Sequence, residues 1–126
     1  MSRSEPERIL RQILQAAGQA RDLCAGKALK ELVDDWQTRL AFERAMEILG
    51  EAVKRLPEDL REKYPSVDWR GAGGMRDYLS HAYDVIDYEI LWNSVQDKVP
   101  GLIATVERML FELKKSSRQS TRAQPS

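Results

Sequence analysis

Apolar residues recur three and four positions apart along almost the whole chain, which restricts it to helices packed on helices. Ile9, Leu10, Ile13, Leu14, Ala17, Ala20, Leu23 and Cys24 form the first such stripe. Ser4 precedes it as a cap, with Pro6 in the first turn and Glu7 three residues after the cap. Gly26 is read as its stop, residues 28–33 as a short helical turn, and Asp34-Asp35 as the next cap. The longest stripe follows, with Trp36, Leu40, Met46, Ile48, Leu49, Ala52, Val53 and Leu56, widened by Ala41, Phe42 and Ala45. Pro57 ends it, and residues 58–63 are read as a brief extra turn between Pro57 and Pro65. A further helix is expected to begin near Gly71-Ala72-Gly73-Gly74 and to carry Met75 to Tyr83. Another covers about residues 88–96. A last one opens at Pro100, with Leu102, Ile103, Val106, Met109, Leu110 and Leu113 facing inward. No segment alternates as a strand, and there is no internal repeat. The expectation is an all-α, up-and-down bundle of five to six helices over residues 1–115. Beyond Lys115 the composition turns to Ser, Thr, Gln, Arg and Pro, so residues 116–126 are read as a disordered basic tail.

Composition narrows the function classes. The 126 residues are one domain's worth, enough to bury a core without staples. Twenty basic and twenty acidic residues cancel, which argues against a nucleic-acid coat or an acidic solvating chain. A single cysteine, Cys24, excludes an intrachain disulfide and sits in an apolar stripe where it is expected to be inert. No apolar run approaches the roughly 20 residues of a membrane span, and the N-terminus lacks a signal-peptide segment. A soluble cytoplasmic protein, away from membranes, is expected.

Chemistry concentrates in Arg76-Asp77-Tyr78-Leu79-Ser80-His81-Ala82-Tyr83, which holds the only histidine. On a helix Asp77 and His81 share a face, so Asp77 can orient the imidazole and favour its protonated form. Arg76 and Tyr83, seven residues apart, also share a face. Arg76 and His81 diverge by roughly 140° around the axis, so one helix makes no tight Arg–His cluster; a second copy across a two-fold axis would complete one. Histidine can take and return a proton near neutral pH, and arginine's fork fits phosphate oxygens. RNA brings its own nucleophile, the 2′-hydroxyl, so no metal or other cofactor is called for. One histidine and a distant cysteine make no zinc set either. Spacing alone favours a surface pair or a helix-face ion network, with His81 a hydrogen-bonded structural residue. Tyr78, Tyr83 and Tyr88 suit core or rim positions.

The same residues carry a resemblance. Arg76, His81 and Tyr83 form the R-x4-H-x-Y signature of the HepT-like proteins of the all-helical HEPN superfamily. Supporting pieces stand in order: residues 48–56 (ILGEAVKRL), Tyr64-Pro65 with Trp69-Arg70, Gly74-Met75-Arg76-Asp77, Asp87 with Trp92, and Pro100 with Leu102. The likeness runs from about Arg8 to Leu113. It implies the ribonuclease toxin of a type VII-like toxin–antitoxin pair: a homodimeric, metal-independent endoribonuclease cutting RNA, with transfer RNA the implied target. Arg76 and His81 would be catalytic and Asp77 supporting. Tyr83 would be the residue to which a nucleotidyltransferase antitoxin, the cognate partner, transfers AMP. The alternative is a non-catalytic HEPN module that binds a nucleotide or a partner. Asp84 and Val85 depart from the aromatic and glycine frequent in the family, and Ala72 and Gly73 replace apolar residues that commonly precede the motif.

Other features are read plainly. Gly50 in mid-helix implies close helix approach, and Glu51 beside it is read as a helix-face carboxylate rather than as a polar residue beside a dimer cleft. Gly71-Ala72-Gly73-Gly74 lacks the Lys-Ser/Thr of a P-loop. Trp36, Trp69 and Trp92 are expected as core or interface anchors. Lys114, Lys115, Arg118 and Arg122 follow the last acid, Glu112, and would add RNA affinity that fades with salt, or simply solubilise the end.

Overall fold

A computed structural model describes residues 4–81 and 85–123, with side chains described as far as residue 118. The described residues form seven helices and no strand. They are α1 (Glu5–Cys24), α2 (Leu29–Asp34), α3 (Trp36–Arg55), α4 (Glu58–Glu62), α5 (Trp69–His81), α6 (Tyr88–Asp97) and α7 (Val99–Ala123). The all-α bundle is as expected, and the two short turns read at residues 28–33 and 58–63 are α2 and α4.

Local chemistry sets the ends. Ser4 accepts from Glu7 N at 3.3 Å and opens α1. The chain turns after Cys24 through Gly26, whose φ of 72° is the left-handed value that glycine adopts without strain. Asp35 accepts from Gln37 N at 3.2 Å to open α3, which carries Lys54 and Arg55 in its last turn, where cations suit the helix dipole. Asp87 caps α6 through Glu89 N at 3.0 Å.

The core is a seam between α1 and α3, closed by α6 and α7. Ile9, Leu10 and Ile13 of α1, Phe42, Met46 and Val53 of α3, Leu91 of α6 and Val106 and Met109 of α7 are buried in it. Helix α5 packs on α3 alone in any extent. Cys24 is buried, and burial pushes its thiol up to about 11, so it stays protonated and unreactive at neutral pH. No helix among the described residues is long and apolar enough to cross a membrane.

Three expectations change. Helix α5 starts at Trp69 and runs through the glycine cluster. Asp68 caps it by accepting from Gly71 N at 2.9 Å, and contact with α3 overrides a propensity cost of about 1 kcal/mol per glycine. The sequence places Trp36 and Leu40 on the apolar side of α3, yet they are 57% and 51% exposed. At 100° per residue they point well away from the Phe42–Leu49–Val53 stripe. Of the tryptophans read as anchors, Trp69 is buried and Trp92 packs against the core. Finally, residues 116–123, read as the start of a disordered tail, continue α7. Once a helix is nucleated, each added residue gains a hydrogen bond, and the Arg, Gln and Ala among these residues propagate it well enough to carry the Ser and Thr between them. Residues 124–126 and the Arg122 side chain lie outside the described residues.

Candidate active site

Helix α5 crosses α3 where both lack side chains. A Cβ added to Gly50 would stand 2.7 Å from the backbone nitrogen of Arg76 and 3.1 Å from the carbonyl oxygen of Ala72. A Cβ added to Gly73 would stand 2.9 Å from Cγ of Lys54. The backbone that carries the motif therefore lies directly on α3, which fixes where Arg76 emerges. Gly50 marks close approach, as its mid-helix position implied.

Asp77 touches both Arg76 and His81. Its backbone carbonyl oxygen is 2.7 Å from Nδ1 of His81. A carbonyl only accepts, so Nδ1 carries the proton, and in the neutral form of the ring the lone pair lies on Nε2. His81 is exposed, leaving Nε2 open to a substrate. Asp77 thus orients His81 as expected, but through its main chain. Its carboxylate is engaged elsewhere: Nζ of Lys54 donates to Oδ1 at 2.9 Å and to Oδ2 at 2.8 Å. The Arg76 guanidinium is farther off, with Nη1 3.7 Å from Oδ1. The Lys54 hydrogen bond above all, then the charges of Lys54, Arg76 and His81, holds the Asp77 carboxyl below the usual carboxylate range. The Arg76 side chain is 43% exposed, so its fork is available to an anion.

Tyr83 and its neighbours Ala82 and Asp84 lie outside the described residues, so the shared face of Arg76 and Tyr83 is not among the observations. Tyr78 is a rim residue: its hydroxyl accepts from Asp87 N at 2.8 Å and ties α5 to the start of α6. Tyr88 donates to Glu43 at 3.1 Å, and burial with that hydrogen bond raises its pKa. Glu51 is an exposed carboxylate on α3, as read. Among the described residues no group of three His, Cys, Asp or Glu side chains could hold a metal ion. Across α5 from Asp77, a cleft of about 700 Å³ opens toward α6 and α7, floored by Met46, Leu49 and Met75. An ion pair of Lys98 with Asp68, at 3.6 Å, closes one end.

Lys54 escaped the sequence reading. Its partner is 23 residues away on another helix, beyond the reach of any i, i+4 rule. The signal that could have found it is the pair Gly50 and Gly73: a glycine crossing puts the next turn of α3, which holds Lys54, against the next turn of α5.

The family model described as "Ribonuclease HepT-like" matches residues 13–109, a span that includes Arg76, Asp77, His81 and Lys54. The chain belongs to the HepT-like family. The HepT-like chain is 37% identical over 113 residues to "Putative RNase MJ0127" of Methanocaldococcus jannaschii, covering 90% of this chain and 93% of that protein. It is also 37% identical over 105 residues to "Putative RNase TTE0752" of Caldanaerobacter subterraneus, covering 83% and 94%. With "Probable ribonuclease HepT" of Thermococcus cleftensis it shares 36% identity over 89 residues, covering 71% and 77%. No solved structure matches the HepT-like chain.

Proposed function

We propose that this HepT-like protein is an endoribonuclease that cuts RNA without a metal, from a site completed by a second copy of the chain. The observation that carries the reading is the hydrogen bond from His81 Nδ1 to the Asp77 carbonyl. It leaves Nε2 as a free base five residues along the helix from an arginine suited to phosphate, in a family whose members are named as ribonucleases. His81 Nε2 takes the proton of a ribose 2′-hydroxyl. The oxygen attacks the adjacent phosphorus and the bond to the 5′-oxygen breaks. That oxygen leaves with a proton from the partner copy's histidine or from water. Arg76 binds the phosphate and offsets the charge that builds on it. The products are a 2′,3′-cyclic phosphate and a 5′-hydroxyl. Because Arg76 and His81 diverge on one helix, a homodimer supplies the converging pair.

The biological setting follows from the family likeness. The protein acts as the toxin of a type VII-like toxin–antitoxin pair in the cytoplasm, with transfer RNA as its target. A nucleotidyltransferase antitoxin transfers AMP to Tyr83. The added phosphate charge and bulk, two residues from His81, block RNA access. The test is cleavage of total transfer RNA by the purified, unmodified protein in EDTA beside His81→Ala. Cutting by the first alone is expected. Silence from both, with Tyr83 shown by mass spectrometry to be free of AMP, overturns the reading for that substrate class. Cutting only when magnesium is restored overturns its metal independence.

A further inference from the structure

The site holds one more charge than the motif accounts for. Lys54 reaches across from α3 and binds both oxygens of the Asp77 carboxylate, at 2.9 and 2.8 Å, while Arg76, the immediate neighbour of Asp77, is left at 3.7 Å. The lysine stem crosses α5 over Gly73, where a side chain of any size would meet its Cγ at 2.9 Å. A helix-breaking residue is thus buried in mid-helix at the point where the stem passes.

We propose that Lys54 is a positioning residue that takes up the negative charge of Asp77 and so keeps Arg76 free to bind phosphate. The electrostatics follow from the distances. An Asp77 without Lys54 is a carboxylate beside an arginine, and the preferred outcome is a closed Arg–carboxylate pair. Such a pair is neutral, and its exposed oxygens repel a phosphate dianion. With Lys54 engaged, the three groups carry a net charge of +1, and the cation that makes no hydrogen bond to the carboxylate is the planar fork, 3.7 Å away. Asp77 keeps its other duty throughout, because His81 is held by its main-chain carbonyl and not by the carboxylate. The role is electrostatic more than structural. The ion pair is about half exposed on both sides, and pairs of that kind contribute little to stability.

This inference deepens the ribonuclease reading, and its test is chosen to stand apart from that reading. Inorganic phosphate is titrated against the Arg76 Nε–H resonance in the wild type, Lys54→Met, Asp77→Asn and the double variant. Methionine preserves the stem that fills the Gly73 notch. Once Lys54 no longer holds it, the Asp77 carboxylate closes on Arg76, and phosphate binding in Lys54→Met is expected to weaken about five- to ten-fold. In the Asp77→Asn background the same substitution is expected to change binding less than about two-fold, since the charge that Lys54 cancels is gone. A thermal midpoint within a few degrees of the wild type accompanies both. The proposal is overturned if Arg76 does not respond to phosphate in the wild type, if Lys54→Met binds like the wild type, or if the loss is as large with Asn at position 77. Transfer RNA cleavage, run beside it, judges the ribonuclease reading by itself.

Discussion

Asp77 serves two neighbours with two different groups. The main-chain oxygen sets the tautomer of His81, and the carboxylate is held by Lys54. A side chain at i+4 was the natural guess for orienting the histidine, and spacing correctly put the two residues in reach. Spacing cannot tell which oxygen of the aspartate is used, because that depends on a lysine from another helix. Arg76 is the neighbour whose chemistry is easiest to probe. Arg76→Lys keeps the charge but loses the planar fork, so two phosphate oxygens can no longer be held in parallel. We expect kcat/KM for RNA to fall at least about ten-fold, with thermal stability unchanged, since the side chain is 43% exposed. Activity equal to the wild type would mean that Arg76 acts only as a point charge.

At the scale of elements, the site depends on how α5 lies on α3. The periodicity of the chain revealed most of the helices, since long amphipathic stripes with caps leave little choice. It misplaced the start of α5, because four residues rich in glycine look like a break when taken alone. Packing decides otherwise: the glycines allow backbone-to-backbone contact that larger residues would prevent. Trp36 and Leu40 were misjudged for the opposite reason, since an apolar residue was assumed to face the nearest core. Gly50→Ala tests the crossing. The new methyl group would sit 2.7 Å from the Arg76 nitrogen, and neither helix can yield by moving a side chain. A loss of about 1–3 kcal/mol in urea unfolding is expected, the usual cost of overpacking, together with weaker catalysis as Arg76 shifts. An unchanged midpoint would show that the helices separate at little cost.

For the whole molecule, the fold was more legible than the site because burial is repeated along many residues and chemistry rests on few. One long-range contact illustrates what lies outside sequence patterns. Tyr64, just before α5, donates its hydroxyl to Glu112 on α7 and stacks beneath Arg108, whose guanidinium carbon is 5.2 Å from the ring centre. Burial first, and the Glu112 hydrogen bond second, push the Tyr64 hydroxyl up to about 12. The folded protein therefore holds this proton more tightly than the unfolded chain does, whose tyrosine titrates near 10. Stability from this group is complete below about pH 10 and declines as pH rises toward 12. Tyr64→Phe should flatten that alkaline decline in urea midpoints, at the cost of one hydrogen bond at neutral pH. A decline as steep as in the wild type would assign it to other groups.

The central claim is that Nε2 of His81 activates the substrate's own 2′-hydroxyl. The chemistry of the cut ends tests it most directly. RNA cleaved by the wild-type protein is mapped for its termini by mass spectrometry. The account predicts a 2′,3′-cyclic phosphate on one fragment and a 5′-hydroxyl on the other. A 3′-hydroxyl paired with a 5′-phosphate would contradict it, because water, and not the ribose, would then have attacked the phosphorus.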